Sequence, residues 1–196
     1  MNERKAKIVR NTKETSITIT LNIDGSGKSE ITTGILFFDH MLNQIALHGV
    51  FDIKLSASGS DEHHVIEDVA ICLGKAFSQA LGQRQGIVRM SHAVIPMDEA
   101  LAMVAVDIGG RGVAQIEADF SHPTIGEMNS DLIRHFLVSF AIECKMNLHV
   151  KVLSGINDHH KAEAIFKALA RALDAATILD SRISESLPST KDYIET

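Results

Sequence analysis

Alternation and helical periodicity divide the chain into two similar runs of elements. FDIKLSASG, from Phe51 to Gly59, alternates apolar and polar residues as a half-buried strand does, and so does NLHVKVLSG, from Asn147 to Gly155. Each leads into a segment with the period of an amphipathic helix: SDEHHVIEDVAICLGKAF, from Ser60 to Phe77, and NDHHKAEAIFKALARAL, from Asn157 to Leu173. FFDHML (Phe37 to Leu42) and LIRHFL (Leu132 to Leu137) open two further helical patterns, each with one histidine at the same place. Upstream of these, SITITLNIDGSGKSEIT and EALAMVAVDIGGRGVAQIE each read as a hairpin, two runs joined by a Gly-rich turn.

The chain therefore repeats itself. A shift of 96 residues, the separation of His63 from His159, lays His63, His64 and Glu67 on His159, His160 and Glu163. It also lays Leu73, Ala76 and Phe77 on Leu169, Ala172 and Leu173. Each half reads as hairpin, helix, strand, helix, the first over residues 1–89 and the second over 90–196, with no linker between them. A half of that size leaves an apolar helix face uncovered. The expected solution is an α+β fold with pseudo-twofold symmetry, the helices of both halves sandwiched between two mixed β-sheets as one compact unit.

Composition narrows the class. With 45% apolar residues in 196, the chain can bury an ordinary core without staples. Cys72 and Cys144 lie in apolar helical stretches without pairing or metal spacing and read as core residues of a reducing compartment. The amino-terminal MNERKAKIVRNTKETSITI carries charge where a signal peptide needs an apolar run, and no window reaches the length of a membrane span, so a cytoplasmic protein is expected. A net charge of -6 argues against nucleic acid as a partner and leaves room for a local basic pocket that binds a small anion.

Ten histidines, against one tyrosine and no tryptophan, change the picture further. Residues four apart share a helix face, so His63 with Glu67 and His159 with Glu163 can each hold one ion, while His64 and His160 point about 100° away. Adding His40 and His135 gives two sets of three histidines and one glutamate, a donor set for first-row divalent metals with open positions. Such sites favour zinc, copper, iron or nickel on affinity and accept manganese where geometry and supply allow. Neutral imidazole is required, so binding should weaken as pH falls towards about 6. His48, His92, His122 and His149 lack such partners and read as structural.

FFDHMLNQIALHG, EHHVIEDVAICLG, DHHKAEAIFKALARAL and the terminal PSTK resemble the imidazoleglycerol-phosphate dehydratase family over nearly the whole chain. The resemblance implies a ribosomal protein S5 domain 2-like fold and a homo-oligomeric shell of twenty-four subunits with active sites between them. It also implies two manganese(II) ions per active site, held by His40, His63, His64, Glu67, His135, His159, His160 and Glu163. The implied reaction removes water from imidazole glycerol phosphate to give imidazole acetol phosphate, by way of a metal-bound imidazolate and a diazafulvene-like intermediate. Glu14, in RNTKETSI, matches the acid or base of that reaction, with Arg10 nearby. Arg89, Arg111, Lys167, Ser189 and Lys191 match the positions that bind substrate phosphate, and the tail SLPSTKDYIET would order over it.

Several positions depart from the family pattern. The loop GSDEHH is short, Val65 stands where threonine is typical, and MSHA follows Arg89 in place of a Phe-Gly pair. Arg134 replaces an acid and Asp192 replaces a glycine. None removes a proposed ligand. A non-catalytic metal-storing or structural assembly is the alternative reading, and a dimetal phosphate-ester hydrolase a third. Arg10, Glu14, Arg89, Lys167 and Lys191 favour the enzyme, since a structural site is closed and needs neither base nor anion pocket.

Overall fold

In a computed structural model, residues 4–183 and 186–195 are described. Three strands, β1 (Lys5–Asn11), β2 (Thr15–Asn22) and β3 (Ser29–Thr32), precede α1 (Leu36–Gly49), β4 (Asp52–Gly59) and α2 (Glu62–Leu81). The chain then repeats the order with β5 (Met90–Met97), β6 (Ala100–Asp107) and β7 (Val113–Glu117). A short ribbon, β8 (Thr124–Ile125) and β9 (Met128–Asn129), comes before α3 (Asp131–Cys144), β10 (Asn147–Ser154) and α4 (Asp158–Thr177). The α+β sandwich expected from the sequence is present, with two four-stranded mixed sheets and four long helices among the described residues.

Strand neighbours differ from the local reading in one respect. The runs of SITITLNIDGSGKSEIT and EALAMVAVDIGGRGVAQIE do form strands, yet they do not pair with each other. The sheet orders are β1-β2-β4-β3 and β5-β6-β10-β7. β4 enters between β2 and β3, antiparallel to the first and parallel to the second, and β10 does the same between β6 and β7. Parallel pairing needs a crossover, which α1 supplies in the first sheet. Within the two four-stranded sheets the hairpins are β1–β2 and β5–β6. A Gly-rich turn signals only that the chain reverses. Which strand fills the slot is decided by β4 and β10, whose inward residues Ile53, Leu55, Leu148 and Val150 are buried.

Helices form the inner layers. α2 lies on the first sheet and packs across on α3, while α4 lies on the second and packs on α1. The core runs through this interface, where Phe38, Phe77, Phe136, Phe140 and Phe166 are fully buried and meet edge-on or stacked. α2 and α3 approach closely enough that Gly74 admits no side chain: a Cβ there would sit 2.8 Å from the Phe140 carbonyl oxygen. Both cysteines are free and buried, and burial pushes their thiols up to about 11 for Cys72 and about 12 for Cys144, which leaves them unreactive.

Candidate metal centres and anion cleft

The two helix pairs present one histidine–carboxylate cluster each. On α1 and α4, the Nε2 atoms of His40 and His159 both lie 3.2 Å from the same oxygen, Oε2 of Glu163. The Glu163 side chain is 8% exposed. Its other oxygen lies 2.6 Å from the Lys167 ammonium one turn on. Burial would raise this carboxyl, but the Lys167 hydrogen bond and His40 outweigh it and bring it down to about 2, so Glu163 is a carboxylate at neutral pH.

On α2 and α3, His63 stacks on His135 with ring centroids 4.7 Å apart, and His135 Nε2 lies 3.5 Å from Glu67 Oε1. That nitrogen is buried and makes no hydrogen bond. A buried polar atom without a partner is costly unless something else binds it. In each cluster, all three donor atoms fall within 4.8 Å of one another. Metal–ligand bonds of about 2.0–2.2 Å set neighbouring donors about 3.0–3.5 Å apart, and the histidine–carboxylate separations of 3.2 Å at Glu163 and 3.5 Å at Glu67 fall in that range, so both clusters can close on a divalent ion. The donor set, two imidazoles and a carboxylate with positions left over, suits a first-row metal.

The second histidine of each pair turns outward, as the helical spacing requires. His64 Nδ1 lies 2.6 Å from Asp61 Oδ2, and His160 Nδ1 lies 2.7 Å from Glu99 Oε2. A carboxylate on Nδ1 fixes the tautomer and leaves Nε2 free to bind a metal. The same contacts raise both imidazoles above the ordinary 6.5 and lower Asp61 and Glu99 to about 2. Asp61 is also the N-cap of α2, accepting from the His64 amide, and Asn157 caps α4 by accepting from His159 and His160. The helix caps and the histidine pairs are thus one construction, with the polar residue that starts each helix seated beside the histidines.

Two of these orienting acids escaped the sequence reading. Asp61 was legible, because DEHH places a capping residue three positions before His64. Glu99 was not, since it comes from the β5–β6 turn 61 residues away. Asp158 is a third omission: it is buried beside His159, bonds the amides of Ser121 and His122, and pairs with Lys161. His122, read as structural, donates from Nδ1 to Asp158 Oδ2 at 2.8 Å.

Four of the anion candidates converge. Arg89, Arg111, Ser189 and Lys191 line a cleft of about 600 Å³, closed on one side by Pro188 and Tyr193. Asp107 grips Arg89 through both oxygens, at 2.7 and 3.0 Å, and Arg89 Nη1 donates to the Pro188 carbonyl at 2.6 Å, which ties the tail to the cleft. Gly110, with φ 93°, lets the tail pass: a Cβ would lie 2.6 Å from the Glu195 carbonyl oxygen. Within one chain, Arg10 and Lys167 sit elsewhere, Arg10 against Asp68 at 2.8 Å and Lys167 against Glu163. Glu14 lies at the exposed β1–β2 turn with Oε2 3.6 Å from His64 Nε2. Among the described residues no helix is long and apolar enough to cross a membrane.

Paired histidine–carboxylate centres on an α+β sandwich, with a basic cleft, belong to the class of metal-dependent enzymes. The sequence profile of imidazoleglycerol-phosphate dehydratase matches residues 33–173. A protein of that name from Dehalococcoides mccartyi is 57% identical over 195 residues, covering 100% of both chains. Another from Roseiflexus is 58% identical over 97% of this chain and 98% of its own. The crystal structure of the Pyrococcus furiosus enzyme superimposes with a TM-score of 0.84 at 34% identity, over 95% of this chain and 100% of that one. That from Staphylococcus aureus gives 0.83 at 32%, over 90% and 99%. The chain belongs to the imidazoleglycerol-phosphate dehydratase family and is a hydro-lyase of histidine biosynthesis.

Proposed function

We propose that the chain dehydrates imidazole glycerol phosphate to imidazole acetol phosphate in the cytoplasm. Its sites are completed between subunits of a twenty-four-subunit shell, with two manganese(II) ions in each. The observation that carries this reading is the division of each ligand set. His40, His159 and Glu163 form one group of three and His63, His135 and Glu67 the other, while His64 and His160 face outward, their Nε2 atoms 3.6 Å from Glu14 and 3.7 Å from Asp98. Such outward ligands suit the centre of a neighbouring subunit.

When bound, the two ions would supply the positive charge that favours the imidazolate form of the substrate ring, and with it departure of the hydroxyl beside the ring. The remaining work falls to side chains. Glu14, exposed and facing His64, is the candidate to move the proton on the next carbon, which has no carbonyl to acidify it. Arg89, Arg111, Ser189 and Lys191 would hold the phosphate, with Arg89 kept in place by Asp107. Arg10 and Lys167 would meet the substrate from surfaces that a neighbouring subunit brings to the cleft. The Pro188 contact would let the tail close over the site and exclude water.

Turnover of imidazole glycerol phosphate after reconstitution with manganese tests the reading, with formation of the acetol phosphate followed directly. Manganese-dependent product is the expected result. Stoichiometric metal without product would favour the non-catalytic assembly. Glu14→Gln should keep metal and assembly while losing at least about 100-fold in turnover.

A further inference from the structure

α2 and α4 are counterparts under the 96-residue shift, and each packs between a sheet and a second helix. At one buried position they differ in kind. α2 carries Asp68, 7% exposed, where α4 carries Ala164. The alanine shows that this position packs without a carboxylate, and a buried carboxylate is unfavourable unless its oxygens are bonded. Packing therefore does not account for Asp68.

Its bonds do. Oδ1 accepts from Arg10 Nε at 2.8 Å, and Oδ2 accepts from the Thr15 hydroxyl. Because Thr15 donates to Asp68, Thr12 donates in the 3.2 Å contact between the two threonine hydroxyls. Thr12 Oγ1 in turn accepts from the amides of Glu14, at 3.1 Å, and Thr15, at 3.0 Å. An unbroken chain of hydrogen bonds thus runs from the buried carboxylate to the backbone N–H of Glu14. From the other side, the Glu14 carbonyl accepts from the Ser60 amide at 3.0 Å, just before α2. Strand alternation explains how these groups meet: Arg10 shares the inward face of β1 with Ala6 and Ile8, and Thr15 that of β2 with Ile17 and Ile19.

We propose that Asp68 is a positioning residue for the dehydration. It locks the β1–β2 turn onto α2 so that the Glu14 side chain faces His64, and it sets the direction of the Arg10 guanidinium. The inference rests on the roles given above to Glu14 and Arg10. Asp68 acts through Thr15 and Thr12 and need not touch the substrate.

Asp68→Ala, Asp68→Asn, Thr15→Val and Glu14→Gln, each compared with the parent as metal-loaded assemblies, test it. Asp68→Ala should retain metal and assembly, as the alanine on α4 suggests, while kcat falls roughly 10–100-fold, KM rises, and amide exchange at Glu14 and Thr15 quickens. Thr15→Val cuts only the branch to the turn, so kcat should fall with KM unchanged. Asp68→Asn keeps an acceptor and should recover part of kcat. Parental kcat and exchange in both Asp68→Ala and Thr15→Val would overturn the proposal, as would losses that track lost metal or unfolding in both. A normally active Glu14→Gln would instead remove the reading beneath it. An inactive Glu14→Gln beside a fully active Asp68→Ala refutes the positioning role alone.

Discussion

Asp61 and Glu99 do the same work from different places. Each holds the Nδ1 of an outward histidine, and each raises its partner above 6.5. The sign of the consequence is fixed: a raised imidazole holds its proton to higher pH, and a metal can bind only after that proton leaves. As acid is added, protons should therefore compete with a metal for these two nitrogens from a higher pH than at an ordinary imidazole, and metal affinity should fall with pH. Bound metal measured after equilibrium dialysis at stepped pH checks this, and retention that does not vary with pH would show that these imidazoles take no part in binding. The spacing HHxxE was enough to separate inward from outward ligands, since helix geometry dictates it. Nothing local could have named Glu99, because its contact with His160 depends on how a turn of one sheet meets the start of a helix.

The helices carry the proposed ligands, so their mutual approach controls the candidate centres. α2 and α3 hold His63, Glu67 and His135 in register only because Gly74 lets them touch. Gly74→Ala would set a methyl 2.8 Å from both the Phe140 carbonyl and the Glu143 side chain. Relieving that contact means moving one helix, at an expected cost of about 1–3 kcal/mol in stability. A lower urea midpoint, together with weaker metal retention by the His63 cluster than by the His40 cluster, would bear this out. The counterpart of Gly74 on α4 is Ala170, so no such limit acts at that place. Helix existence and facing were legible from periodicity. The strand order was not, because β4 and β10 choose their neighbours by burying both edges, a contest between distant segments that a turn motif does not record.

At the level of the assembly, the two sheets differ in their outer faces. Ser16, Thr18 and Thr20 line the outside of β2, whereas Met90 and Val94 on β5 are 58% and 46% exposed. Leu36 and Ile156, at the starts of the helices that bear the His40 cluster, are 77% and 82% exposed. Apolar side chains so placed suit burial against other subunits. If metal centres lie between subunits, chelation should dissociate the particle, and restoring metal should rebuild it. Sedimentation velocity before and after chelation is the check, and an unchanged profile would place the ions within single chains.

Periodicity alone carried the elements, the internal repeat, the α+β class and the grouping of histidines, because each follows from spacing along one strand or one helix. Resemblance in four short motifs then supplied the proposed roles of Glu14 and of the phosphate cations. Folding added what spacing cannot express. It brought His40 on α1 to Glu163 on α4, left His135 Nε2 without a hydrogen bond, drew Arg89 and Arg111 into one cleft with Ser189 and Lys191, and linked Asp68 to the β1–β2 turn that carries Glu14. These are contacts between segments tens of residues apart. Their geometry is set by the packing of whole layers, and the sequence specifies that packing only through the sum of all its burial and hydrogen-bonding preferences.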